Sequence, residues 1–419
     1  MHWLFWVVLA LFLYTMAAGY IYLRKAAHER EKADRVAFSD SGPGAEERSI
    51  WDAVVFYGPI LAIKTERVGF LDRFTRYGPV LRAYATLGVV MVAIISVGIA
   101  AMLFLSVGLT FVFRPEPTGI YAPQNIFLIP GINEYVPSTL AVWFAFILTV
   151  VIHEWGHGIL CRVENIAVRS MGALIAVIPI GFFVEPDEQE LEKVQGIPKI
   201  RMFGAGITNN IVLGAICFVA LVLLFGMVVP TGSPVIAGVY KNYSAWDAGI
   251  PIPSVITAVD SVPVASRDDV SAILNATRPG DRVTLTLKSD GEARDYTLVL
   301  SEWPAELGRR GSGFMGISYY DGALVKESVR QSLSFPGLVR FLTIPFDPGA
   351  AGQALRVLAF ETPETRFYEE PFFGFWGLVH TLFWCAWINI NVGIFNALPM
   401  VPLDGGYILK EGVERLFSR

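Results

Sequence analysis

Apolar positions in this chain fall into two patterns of very different length. Long uncharged runs cover Trp3–Leu23, Ala83–Phe113, Phe203–Val229 and Phe372–Leu403, and a further run without charge from Val136 to Ile152 opens the stretch Ser138–Cys161. Each reaches the roughly 20 residues that a helix needs to cross a bilayer, so the pattern predicts about five membrane-spanning helices. Pro230–Leu300 is different, being polar with short alternating segments. Val235–Val239, Val255–Val259, Val283–Leu287 and Tyr296–Leu300 read as strands, divided by turn signals at Pro279-Gly280-Asp281 and Ser289-Asp290-Gly291. Ser266 and Asp269 predict a capped helix over Val270–Leu274. Two shorter apolar stretches, Ala53–Ile63 broken by Gly58-Pro59 and Met171–Val184 containing Gly172, Pro179 and Gly181, cannot span and read as strand pairs.

Basic residues orient the runs. Lys25, Arg30, Lys32, Arg35, Lys64, Arg67, Arg73 and Arg76 cluster in the first loop, and Arg162, Arg169, Lys193, Lys199 and Arg201 in a later one, which places both on the cytoplasmic side. The expected organisation is an N-terminal anchor helix over 1–23, a cytoplasmic loop over 24–82 with a flexible linker at Ser39–Glu47, and a membrane core over 83–230. A small α+β domain over 231–301 follows outside, then an exterior or interfacial segment over 302–371 and a C-terminal membrane core over 372–419. Within the first core, Met171–Val184 is expected to be a re-entrant hairpin; polar backbone survives at that depth only where protein or a watery cavity covers it. A plain cytoplasmic strand pair is the alternative. The inserted domain, with Ser244-Ala245-Trp246-Asp247-Ala248-Gly249 leading into Ser254–Asp260, resembles a PDZ domain, whose groove binds peptides as an added strand.

Composition agrees with a polytopic membrane protein: 53% hydrophobic and 17% charged residues and a mean hydropathy of +0.50. A net charge of -5 lacks the concentrated basic face of a nucleic-acid binder. Cys161, Cys217 and Cys385 lie in apolar segments and are expected to pack as small hydrophobes.

The chemistry centres on His153-Glu154-Trp155-Gly156-His157. Residues four apart share a helix face, so both imidazoles can reach one Zn2+, with Glu154 beside them to take a water's proton. The motif is short and occurs by chance in helices that bind nothing, but ionisable groups within a membrane run are costly enough to point to function. Cys161, one turn beyond His157, is a conceivable ligand for which packing is the expectation. The orientation deduced above also brings Asp404 to the same side as the histidines. An Asp at a span's end is commonly a solvated cap, yet the prolines and glycines of Asn396-Ala397-Leu398-Pro399-Met400-Val401-Pro402-Leu403-Asp404-Gly405-Gly406 would fold a carboxylate inward.

H-E-x-x-H in one span and N-x-x-P-x-x-x-L-D-G in a later one resemble the site-2 protease family of intramembrane zinc metalloproteases. The likeness runs to Gly406 and takes in Gly181-Phe182-Phe183-Val184, Ala205-Gly206 leading to Asn210, and the PDZ-like insert. It implies zinc on His153, His157 and Asp404, a water activated by Glu154, and substrate bound along Gly181, Phe182, Phe183 and Val184. It also implies Asn396, and with it Asn210, beside the substrate or its developing oxyanion. Many members carry the second proline where this chain has Val401, and many continue with another span. The implied function is hydrolysis of peptide bonds within transmembrane segments of substrate proteins, with the lipid bilayer as the other partner. A transporter using the His and Asp cluster competes, but it would not need H-E-x-x-H spacing. An inert PDZ-bearing scaffold would not need Glu154.

Overall fold

A computed structural model describes residues 2–38, 49–114, 119, 122–126, 128–231, 234–289, 291–308, 311–347 and 349–417. The linker expected at Ser39–Glu47 lies outside them. The chain divides into two compact units, one of Met1–Pro115, Phe146–Val212 and Asn389–Arg419, the other of Glu116–Ala145 and Leu213–Ile388.

Helix α1 (His2–Phe38) does not stop at the expected boundary of Leu23. Ala26, Ala27, Glu29, Arg30, Glu31 and Lys32 are good helix formers, and Lys25 pairs with Glu29 one turn on at 3.3 Å, so the charged stretch begins as helix. Strands β1 (Val54–Tyr57) and β2 (Ile60–Thr65) form the first expected hairpin, turning at Gly58 with φ +60°, where a glycine is unstrained. After α2 (Gly78–Phe113) and α3 (Leu140–Val163) comes the second hairpin, β3 (Val168–Ala176) and β4 (Ile178–Pro186). Then follow α4 (Glu188–Lys193) and α5 (Ile197–Phe225). Asp187 caps α4 by accepting from Glu190 N at 3.0 Å, and the Arg169 guanidinium beside it holds its carboxyl below the usual range.

The two hairpins join. Leu61–Thr65 of β2 lie against Met171–Ile175 of β3, giving one antiparallel sheet of order β1-β2-β3-β4. Gly172 permits the approach, since a Cβ there would stand 2.2 Å from Ile63 O. β4 is thus an edge strand whose only strand partner among the described residues is β3. Glu164, nearly buried just beyond α3, ties Arg82 of α2 at 3.2 Å to Arg201 of α5 at 3.1 Å. The core beside these ends is Leu71, Leu160, Cys161, Ile166, Met202 and Ala205; Cys161 packs there, as expected.

The second unit holds β5 (Val229–Pro230), β6 (Val235–Val239), α6 (Ser244–Asp247), β7 (Ser254–Val259), β8 (Val262–Pro263), α7 (Arg267–Asn275), β9 (Arg282–Ser289) and β10 (Glu292–Val299). It continues with β11 (Ile317–Tyr320), α8 (Gly322–Arg330), α9 (Phe335–Thr343), α10 (Ala350–Leu355) and β12 (Tyr368–Glu369), and α11 (Phe375–Asn396) leads back to the first unit and α12 (Asp404–Phe417). The α7 capping box is the expected one, Ser266 Oγ accepting from Asp269 N at 3.2 Å and Asp269 from Ser266 N at 2.9 Å. The main sheet runs β10-β9-β7-β6-β11, with β8 on β7. Here the expected domain boundary at 301 needs correction. β11 is the sheet's last strand, and Met315 and Ile317 share a core with Ile236, Ile256 and Leu285. Four residues behind Gly311, Gly313 and Gly316 are too few to show a period of two.

Among the described residues, four helices are long and apolar enough to cross a membrane: Gly69–Phe113, in which α2 is preceded by a 3-10 segment, and α3, α5 and α11.

Candidate metal centre

Helix geometry turns His153 and His157 of α3 to one side. Their Nε2 atoms lie 3.1 Å apart, and Asp404 Oδ2, at the first residue of α12, lies 3.1 Å from the former and 3.3 Å from the latter. Among the described residues these three form the one cluster of His, Cys, Asp or Glu that could hold a metal ion. A tetrahedral zinc with ligands at about 2.0–2.1 Å has ligand-to-ligand edges of roughly 3.3 Å; the three edges here are of that size.

The far side of each ring supports the same assignment. His157 Nδ1 donates to Met202 O at 2.8 Å, which fixes the proton there and leaves the Nε2 lone pair facing Asp404. His153 Nδ1 meets the Asn210 side-chain amide at 3.2 Å. The atom placed there is Asn210 Nδ2; the residue is wholly buried and its Oδ1 has no partner, so a half-turn of the amide, exchanging its O and N, gives that oxygen a donor in a proton on Nδ1. Asp404 Oδ2 is also buried without a donor. Two ring lone pairs and an orphaned carboxylate oxygen converging on one point suit a cation and little else.

Both outer contacts come from α5, which can lie this close because of Gly206. A Cβ there would stand 2.6 Å from His157 Nε2 and 2.7 Å from His153 Nε2. Asn209 joins the same helices another way, donating to Ile152 O at 3.2 Å while accepting from Tyr84 of α2 at 2.9 Å. It is the helix-to-helix amide that two asparagines near a span's end suggest.

Asp404 reaches the site because the 397–403 turn folds back onto the start of α12. A Cβ on Gly405 would sit 2.4 Å from Ala397 O, and one on Gly406 2.3 Å from Met400 C. Further along α12, buried Glu411 accepts from Gly196 N and pairs with Lys199 at 3.2 Å, and Tyr407 stacks on Phe203 at 4.9 Å.

Glu154 is half-buried, and its Oε2 accepts from Val184 N of β4 at 3.0 Å. Val184 N therefore points away from β3, to the strand's open edge, and the candidate base stands at that edge. Of the four β4 residues expected to hold substrate, Val184 is the one hydrogen-bonded to Glu154; Gly181, Phe182 and Phe183 continue the strand opposite Leu174, Ala173 and Gly172. Asn210, expected beside substrate, is turned to His153 instead. Asn396 is half-buried at the end of α11, with no side-chain hydrogen bond among the described residues. The Met202 carbonyl had no signal in the sequence, because any residue type supplies one.

Residues 141–419 match the family model described as Peptidase family M50. Two curated relatives, each named "Putative zinc metalloprotease", come from Rhizobium meliloti (23% identical over 351 residues, 70% of this chain and 90% of the relative) and Clostridium perfringens (25% over 307 residues, 66% and 87%). A solved structure, the PDZ domain of the SdrC-like protein from Listeria monocytogenes, matches at 18% identity with a TM-score of 0.19, over 22% of this chain and 90% of that one.

Proposed function

The chain belongs to peptidase family M50, and from that premise we propose that it is a zinc-dependent intramembrane protease that cuts peptide bonds within transmembrane segments of other proteins. Its apolar helices make it an integral membrane protein. The observation that carries the reading is the meeting of His153 Nε2, His157 Nε2 and Asp404 Oδ2 at 3.1–3.3 Å with both remote ring nitrogens already engaged.

These three residues hold zinc. When bound, it lowers the pKa of a water and polarises a carbonyl. Glu154 takes the proton of the attacking water and passes it to the leaving amine. A substrate helix hides its carbonyls in its own hydrogen bonds, so the cleaved stretch must unwind. β4 gives it somewhere to go: by strand alternation from Val184, whose N–H is held by Glu154, Phe182 N–H faces the open edge and can pair with an extended segment. Asn396, its amide without a hydrogen-bond partner among the described residues, donates to the substrate carbonyl as charge develops. Asn210 is a positioning residue for His153. The hairpin β3–β4 lies at membrane depth, the metal near the cytoplasmic end of α3, and the PDZ-like domain outside, where it limits which substrates approach.

Purified protein should carry about one zinc per chain, as a catalytic site of three protein ligands requires. Glu154→Gln should keep the metal and lose about a hundred- to ten-thousand-fold in cleavage of a transmembrane peptide in vesicles. Metal-free protein that still cleaves, or full turnover by the Gln variant, would defeat the proposal.

A further inference from the structure

α12 leaves an apolar stripe on its outward side. Leu409, Val413, Leu416 and Phe417, at i, i+4, i+7 and i+8, lie on one face, and that face is turned outward, with Leu416 74% and Phe417 87% exposed. The exposed Met400 and Val401 extend it, their backbone lying against Gly406. The opposite face, where i and i+7 bring Asp404 and Glu411 together, is turned inward. Glu411 is 6% exposed and engaged by Lys199 and Gly196. In water a surface helix turns its apolar stripe to the core; α12 does so with Ile408 and Tyr407 and leaves this second stripe facing out.

We propose that the outward face of α12 is seated in lipid, as an interfacial helix lying at the bilayer surface. Continuity favours lipid over a second copy or another protein segment. Only the 397–403 turn separates α12 from α11, one of the four helices long enough to span, so α12 begins where a span ends. Lys410 and Glu414, exposed and 3.9 Å apart, border the apolar stripe as headgroup-level charges border an interfacial helix. The proposal rests on the reading of α11 as a span. Because Asp404 is its first residue, α12 then connects the third metal ligand to the membrane surface.

Spin labels test this in full-length protein reconstituted into mixed phosphatidylcholine and phosphatidylglycerol vesicles. Labels go on Val413→Cys, Leu416→Cys, Lys410→Cys and Glu414→Cys, with Leu378→Cys on α11 reporting the span. Cys161, Cys217 and Cys385 are buried, so the unsubstituted chain provides the blank. The expected result is an oxygen-to-nickel-chelate accessibility ratio several-fold higher at 413 and 416 than at 410 and 414, close to that at 378. High nickel access at 413 and 416 would show a face in water, and low access to both reagents a face covered by protein; either overturns the proposal. A water-exposed label at 378 would instead fault the reading of α11.

Discussion

The sides of the His153 and His157 rings that face away from Asp404 bear on whether the two can be ligands. Met202 O and the Asn210 amide hold the two Nδ1 atoms, so the lone pairs are aimed before any metal arrives. Loss of such an outer partner commonly lowers metal affinity about 10–100-fold. Asn210→Ala should therefore weaken zinc retention by that order in competition with a chelator, while the secondary structure persists. Unchanged zinc affinity would leave Asn210 with a packing role alone. The residues themselves were legible: His153, Glu154, His157 and Asp404 stand in motifs whose spacing has a mechanism. Asn210 was visible as a residue and not by its role, because sequence does not say which way an amide turns. Asn396 still depends on the family likeness.

Elements were legible where they are long. Helices α2, α3, α5 and α11 declare themselves by uncharged length, and β6 and α7 by alternation and capping. The junction of β2 with β3 left no trace, since it pairs segments far apart in the chain and needs only that Gly172 be small. α12 has apolar residues at helical spacing, but which face is inward depends on where Glu411 finds its partners. That pair has an energetic consequence. Breaking a buried ion pair by removing one partner costs about 3–5 kcal/mol; Lys199 keeps some contact with water, its side chain 22% exposed, so a cost near 2 kcal/mol is a fairer expectation for Glu411→Ala. Because α12 begins with Asp404, the same variant should lose zinc at a lower temperature than it loses helix. Coincident loss of metal and helix would show that α12 does not loosen on its own.

The two units differ in what they can lose. The β6–β11 sheet belongs wholly to the second, and its deletion has a natural and an unnatural boundary. Removing residues 234–300 strips β11 of β6 and leaves Met315 and Ile317 without their core, whereas removing 234–321 takes the sheet out entire. The longer deletion, rejoined by a flexible linker, should yield the better-behaved membrane protein, with zinc bound and a short transmembrane peptide still cut, while selection against bulky exterior domains weakens. Loss of peptide cleavage with zinc and folding intact would mean that the domain contributes to catalysis. At this scale the class of protein was evident from hydropathy, and the limits of the inserted sheet were not. One feature of the first sheet also bears on how molecules behave in a crowd. Exposed strand edges invite other copies to pair with them. At the outer strand β1, Lys25 Nζ engages Val54 O at 2.6 Å, a blunting by lysine; at β4, Val184 N–H is engaged by Glu154. The proposed base is then also a guard against self-association. Glu154→Gln keeps an oxygen for Val184 N–H and Glu154→Ala does not, so two equally inactive variants should part company in sedimentation, the alanine protein forming larger species at equal concentration. If both sediment alike, β4 is shielded by something other than the Glu154 carboxylate.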